Sequence, residues 1–214
     1  AETLVAQDSS SQPSESRLLL LTQRLVHVLA RVENFDDMFD AVARAAREAF
    51  GTTRMAVFSF DDIGPERFRR HTGLSAAYLA ALSEWNWLLW PQDLNDPEPI
   101  AIADSRDDAR LTDLRPALDR EGIVATLHIP MLSRGVVMGK VVVYDDVYRE
   151  WTAAEIDFAQ CASEMLTTCF VRERNELDVQ STMFTLTSLA QQVPVGVMFE
   201  DHNGYIVFSN DHFS

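Results

Sequence analysis

The sequence predicts an α+β fold, an antiparallel β-sheet flanked by helices, with long helices at the N- and C-terminal ends of the domain. Three observations predict it. Strand-like segments come in adjacent pairs separated by turn residues, and segments of helical periodicity lie between and on both sides of them. Hydrophobic residues make up 47% of the 214, ample for a core. The length allows one full domain and part of a second.

Residues 1–16 (AETLVAQDSSSQPSES) bury little and read as a flexible leader. Leu18, Leu21, Leu25, Val28 and Val32 then step by 3, 4, 3 and 4. That spacing fits a coiled-coil seam and fits equally an amphipathic helix packed on its own domain; two heptads do not separate the two. A second helix opens at Asn34, an N-cap followed by Asp36 and Asp37 at the positive end of the dipole, and stops at Gly51.

Met55–Phe60 is a strand, and 61–65 (DDIGP) is a turn leading to a partner strand, Arg67–Thr72. Leu74–Trp85 reads as a helix, followed by an aromatic bend through Trp87 and Trp90. Ile100–Ala103 is a short strand, after which Asp104 or Asp107 caps a helix running to about Arg120 and closed by Gly122. Val124–Ile129 and Val136–Tyr144 form two strong strands joined through Ser133-Arg134-Gly135. Thr152 with Glu155 is a capping box that opens a helix reaching about Gln191.

Lys+Arg 18 against Asp+Glu 33 gives a net charge of −15. Such a surface repels phosphate backbones and anionic lipid, and Arg67, Arg69 and Arg70 make too short a run to reverse it. Neither nucleic acid nor membrane is expected as a partner, and no apolar run approaches the roughly 20 residues of a membrane span. Cys161 and Cys169 make neither a disulfide framework nor a metal cluster, which fits a cytoplasmic protein. Gly135 to Val141 imitates a P-loop but has three residues between its glycines instead of four and Val141 in place of Ser/Thr. With no GxSxG, HExxH or CxxC either, no enzyme is expected. The five histidines share no metal-ligand spacing.

The local sequence resembles the GAF family of small-molecule sensory domains. The resemblance rests on 51–58 (GTTRMAVF), 100–104 (IAIAD), 121–131 (EGIVATLHIPM), 134–144 (RGVVMGKVVVY) and 151–155 (WTAAE), in this order over about residues 17–175. The Trp90-Pro91 stretch and the EGI…IP…GK run are most similar to GAF domains of bacterial sensor histidine kinases. Residues 193–210 resemble the opening hairpin of a PAS domain around the turn Asp201-His202-Asn203-Gly204. The implied organisation is a leader 1–16, a sensory domain 17–176, a connecting helix 177–192 and a partial PAS-like hairpin 193–214. An output domain is expected beyond it. The two hairpin strands have open edges and are expected to be mobile or to borrow order from a neighbouring chain.

The resemblance implies non-enzymatic binding of a small molecule of unknown identity and a relay through helices to the output module. The rival reading is a ligand-free dimerisation scaffold. Neither cysteine lies where pigment-binding relatives attach a bilin, or gathers with others as in relatives that reduce methionine sulfoxide, and the cyclic-nucleotide signature is missing.

Strand alternation puts Thr126 and His128 on one face of their strand and Lys140, Val142 and Tyr144 on one face of the next. By the resemblance these faces, with Phe58, line a cavity under the Ile100–Arg120 segment, with Leu111 and Leu114 as lid and Trp87 and Trp90 at one end. His128 is then placed to hydrogen-bond a ligand, bind haem iron or pair with Tyr144; the cofactor stays unknown. Lys140 meets an anionic ligand or, more simply, snorkels past the sheet edge. Asp104 is read as a cap and not as a ligand contact. Phe170, Leu177 and Phe184 recur at sevens, so a parallel homodimer is expected through about 17–32 and 156–190.

Overall fold

The computed structural model describes residues 14–60, 67–84, 97–192 and 194–213, which fall into two units, Ala1–Phe170 and Val171–Ser214. In the first unit β5 (Val136–Asp145) is the middle strand of a five-stranded antiparallel sheet. β1 (Arg54–Ser59) and β4 (Ala125–Ser133) flank it, with β2 (Arg67–Thr72) outside β1 and β3 (Ile100–Ile102) outside β4. The fold is the predicted α+β class, an antiparallel sheet flanked by helices. The β4–β5 hairpin turns on Arg134 (φ 51°) and Gly135 (φ 78°), the paired positive φ values of a two-residue type I′ loop. Gly139 sits where β5 passes β1: a Cβ there would lie 2.0 Å from the Phe58 carbonyl oxygen. The P-loop-like glycine serves strand contact, not phosphate.

One face of the sheet sends Met55, Val57, Leu127, Ile129, Met131, Val141 and Val143 into a core covered by three helices. These are α1 (Glu15–Leu29), α2 (Phe35–Phe50) and the first part of α5 (Ala153–Gln192). Leu18, Leu21 and Leu25 are buried in this core, and Val28 and Val32 pack against it. Of the two readings of that seam, the structure therefore shows the packed helix. The Leu18, Leu21 and Leu25 face is spent inside the domain, while Leu19, Leu20 and Val26 of the same helix stay exposed. Helix α1 starts at Glu15, two residues inside the expected leader. Helix α2 has the expected ends: the Asn34 side chain accepts from the Asp37 N–H at 2.8 Å, and Gly51 closes the helix at φ 77°.

The opposite face is covered by α3 (Ala76–Glu84) and α4 (Arg115–Glu121). The Glu121 carboxylate at the end of α4 accepts from the Ser75 N–H at 2.8 Å and from its hydroxyl, tying the two helices together. The single helix expected from Asp104 or Asp107 to Arg120 is not present. Asp104 accepts instead from the Arg106 N–H, and Asp108 caps a one-turn 3₁₀ helix, Ala109–Leu111. Pro116 lacks an N–H and suits a first turn, so the α-helix begins only at Arg115.

Arg149 joins four elements of this unit. Its guanidinium donates to the Phe50 carbonyl at the end of α2 (2.7 Å), to Asp145 at the end of β5 (2.8 Å) and to Glu155 in the first turn of α5. Its backbone N–H donates to the Ala103 carbonyl just beyond β3. Glu155 is fully buried and also accepts from the Thr152 N–H at 2.9 Å, while the Glu155 N–H donates to the Thr152 hydroxyl: the predicted capping box.

In the second unit β6 (Met198–Glu200) pairs with β7 (Ile206–Ser209). The turn is not the two-residue Asn-Gly form. The Gly204 N–H donates to the Asp201 carbonyl and Gly204 alone takes a positive φ, 82°, so the loop spans Asp201–Tyr205. Buried Asn210 donates to the Ala190 and Val195 carbonyls and accepts from the Val197 N–H, fixing the hairpin to the last turns of α5.

Arg149→Ala leaves Asp145 and Glu155 buried without their cation. We expect a loss of about 3–5 kcal/mol in urea unfolding, the usual cost of removing one member of a buried ionic cluster. Arg149→Lys should recover less than half, because one ammonium does not span the guanidinium's partners.

Candidate functional site

Between the sheet and the α3–α4 side lies a cavity of about 10 Å³, room for roughly one water. Seven of the predicted site residues meet there: Phe58 from β1, Thr126 and His128 from β4, Val142 and Tyr144 from β5, and Leu111 and Leu114 from the segment before α4. Period-2 alternation in three adjacent strands brings the five strand residues to one face. Trp87 and Trp90, with Trp85, lie outside the described residues. Tyr78, Leu82 and Leu118 complete the lining and were missed. Their i, i+4 spacings (Tyr78–Leu82 and Leu114–Leu118) were the available signal.

Lys140 also lines the cavity and is buried, which corrects the snorkelling reading. β5 is the central strand, so no sheet edge lies within reach. The Lys140 Nζ stands 4.8 Å from the centroid of the Phe58 ring, a cation–π arrangement.

His128 Nε2 lies 3.0 Å from the Thr126 hydroxyl, so Thr126 takes the place foreseen for Tyr144 as its partner. A hydroxyl both donates and accepts, so this contact suits either neutral tautomer of the ring. Nδ1 is buried with no hydrogen-bond partner. Burial pushes the imidazole pKa well below 6.5, and the charges of Lys140 and Arg110 push it the same way. The ring is neutral at physiological pH.

The Tyr78 hydroxyl is a second buried polar atom without a partner. Its ring meets the Tyr144 ring edge-on at 5.8 Å. Burial raises its pKa far above the usual phenol value, while the neighbouring Tyr144 hydroxyl acts in the opposite direction. An unpaired buried group of this kind costs about 1–3 kcal/mol, and the cavity has room for one water beside it.

Among the described residues no three His, Cys, Asp or Glu gather to hold a metal. Haem does not fit: His128 commits Nε2 to Thr126, and the space is that of one water. Neither cysteine lines the cavity; both are on α5, where Cys169 is in the helical core and burial raises the Cys161 thiol pKa.

The chain belongs to the GAF domain family, whose model matches residues 34–170. Solved structures agree. A domain described as that of a two-component sensor histidine kinase protein from Sinorhizobium meliloti 1021 is 27% identical, with a TM-score of 0.61 over 68% of this chain and 97% of that one. The GAF domain of a phosphoenolpyruvate-protein phosphotransferase from Coxiella burnetii is 18% identical, with a TM-score of 0.61 over 77% and 98%. A far-red-absorbing dark-state protein with bound biliverdin IXa is 14% identical, with a TM-score of 0.53 over 70% and 97%. No curated protein matches. No helix among the described residues is long and apolar enough to cross a membrane.

Because the folded pKa of His128 lies below its unfolded value, the unfolded chain takes the proton first. Stability should be full above about pH 6.5 and fall below it, by up to about 1.4 kcal/mol per pH unit, until the folded pKa is reached. Hydrogen bonds from Arg106 hold Asp104 down at about 2, and Arg110 lowers Asp108, so both act in a more acidic window. Denaturant titrations between pH 5 and 7.5 should show the slope in the parent protein and a much flatter profile in His128→Gln.

Proposed function

We propose that the GAF domain is a non-enzymatic cytoplasmic sensor. It binds a small molecule in the cavity between the sheet and α3–α4 and passes the change along α5 to a downstream output module. The observation that carries this reading is the pair of partnerless polar atoms, His128 Nδ1 and the Tyr78 hydroxyl, on the lining of one cavity. The sensor kinase-like relative supports a signalling setting. A relative of the same fold carries biliverdin IXa; with no cysteine on the described lining, a covalently held pigment is not the occupant proposed here.

The scaffold remains the second reading, favoured by the small size of the cavity. Native mass spectrometry of protein from cells, with an absorption spectrum, separates the two. We expect a co-purifying small molecule that is lost in His128→Ala with little change in melting temperature. Protein free of any ligand, with His128→Ala and Tyr144→Phe both strongly destabilised, would favour the scaffold.

Residues 194–213 are read as the opening hairpin of a PAS module; the β6–β7 pair tied to Ala190 through Asn210 supports this. The homodimer is assigned to the later part of α5. Leu177 and Phe184 are 59% and 75% exposed at heptad spacing, and Val179, Met183 and Leu186 form a second exposed stripe at steps of 4 and 3. Light scattering at tens of micromolar, roughly the range for micromolar affinities, should show a dimer. Leu177→Lys should weaken it while leaving the thermal unfolding of the sheet domain unchanged, and a monomeric parent would refute it.

A further inference from the structure

On the other side of the sheet, a surface groove of about 230 Å³ lies between α2 and the ends of β1 and β2. Asp40, Ala43, Arg44 and Arg47 line it from α2, at the i, i+3, i+4, i+7 spacing of one helical stripe. Thr53, just before β1, and Thr72, the last residue of β2, line it from the sheet. The backbone holds these two threonines together. A Cβ on Gly73 would lie 2.6 Å from the Thr53 carbonyl oxygen, so glycine, here at φ 68°, is what lets the chain pass so close.

The lining is rich in donors. Among the described residues no hydrogen bond or ion pair engages the guanidinium of Arg44 or Arg47, or the hydroxyl of Thr53 or Thr72. The acid on the lining, Asp40, already has a cation: Arg70 Nη2 stands 3.1 Å from its carboxylate. Arg47, in the last turn of α2, also complements the helix dipole, but that effect fades within one turn and does not account for Arg44. Both arginines are exposed, and the apolar lining is only Ala43 and the threonine methyls. Such a groove holds a charged group and offers no wall for a ligand's body. A carboxylate brings two oxygens and one charge, whereas a phosphoryl group brings three acceptor oxygens and roughly two charges to the two forks and two hydroxyls.

We propose that this groove docks a phosphorylated side chain of a partner protein, with Arg44, Arg47, Thr53 and Thr72 donating to the phosphoryl oxygens. The partner's body stays outside the groove, and no bond is made or broken. Helix α2 covers the face of the sheet opposite to α3 and α4, so this docking site is separate from the cavity and does not rest on the sensor reading.

The test follows the backbone amide resonances of the full chain at one fixed, low ionic strength. The probes are a short neutral peptide carrying phosphoserine, glutamate or serine at its centre, and inorganic phosphate. The phosphoserine peptide should shift Thr53, Thr72, Gly73 and the Arg44–Arg47 turn, and bind about tenfold more tightly than the glutamate form. The serine form should not bind. Arg44→Gln and Arg47→Gln should each weaken the phosphoserine peptide about tenfold, while Arg120→Gln, on α4 across the sheet, should leave it unchanged. The melting temperature of each variant without probe checks that it is folded. Glutamate or serine binding as tightly as phosphoserine overturns the phosphoryl assignment, and inorganic phosphate binding as tightly overturns the side-chain source. Shifts gathered elsewhere, no binding by the phosphoserine peptide, or a folded Arg44→Gln that binds it unchanged overturns the site. Each of these outcomes leaves the sensor reading as it stands.

Discussion

The alternation of side chains along β1, β4 and β5 is the constraint on which the rest of this domain depends. Odd positions of the three strands (Met55, Val57, Leu127, Ile129, Val141, Val143) point to the helical core, and even positions (Ala56, Phe58, Thr126, His128, Val142, Tyr144) point to the cavity side. The antiparallel registers hold this division across three strands at once. A slip of one residue would carry His128 into an aliphatic core and Leu127 onto the cavity wall. The near-contact of Gly139 with the Phe58 carbonyl and the paired positive φ at Arg134 and Gly135 pin the register at one end.

Much of this was legible because the signals are local. Gly51 and Gly122 stop helices by adopting positive φ, Asn34 caps one, and Thr152 with Glu155 opens another, all within a few residues of chain. Alternation in 126–128 and 140–144 places Thr126, His128, Val142 and Tyr144 on one face, and the resemblance to the GAF family added Phe58, Leu111 and Leu114. What failed was information held elsewhere in the chain. The α1 seam has the same spacing whether its partner is a second copy or the domain's own sheet, so Leu18, Leu21 and Leu25 do not reveal which. Lys140 looks like a surface residue until β5 is known to be central. Pro116 divides a segment whose acidic residues all resemble caps, and Tyr78 and Leu82 carry no mark beyond helical spacing.

The cavity joins two kinds of design. Its leucines and aromatic rings pack as a core does, while the polar members are arranged around a neutral imidazole in contact with Thr126. Membership of the GAF family accounts for the architecture in which this happens. The particular chemistry comes from this chain's own residues at the even positions of β4 and β5, and from Tyr78 on a helix that the sheet pattern does not predict.

The buried cluster of Arg149 with Asp145 and Glu155 also bears on how the protein meets ionic strength. Exposed pairs such as Arg24–Glu48 and Arg70 with Asp36 and Asp40 contribute little and are screened by salt. The Arg149 cluster lies at 12% exposure or less and is shielded from mobile ions. The chain's 15 excess negative charges meanwhile repel one another least when salt is high. The attractions that join α2, β5 and α5 survive conditions that quiet the surface repulsion, so this acidic domain gains firmness as the solution becomes more saline.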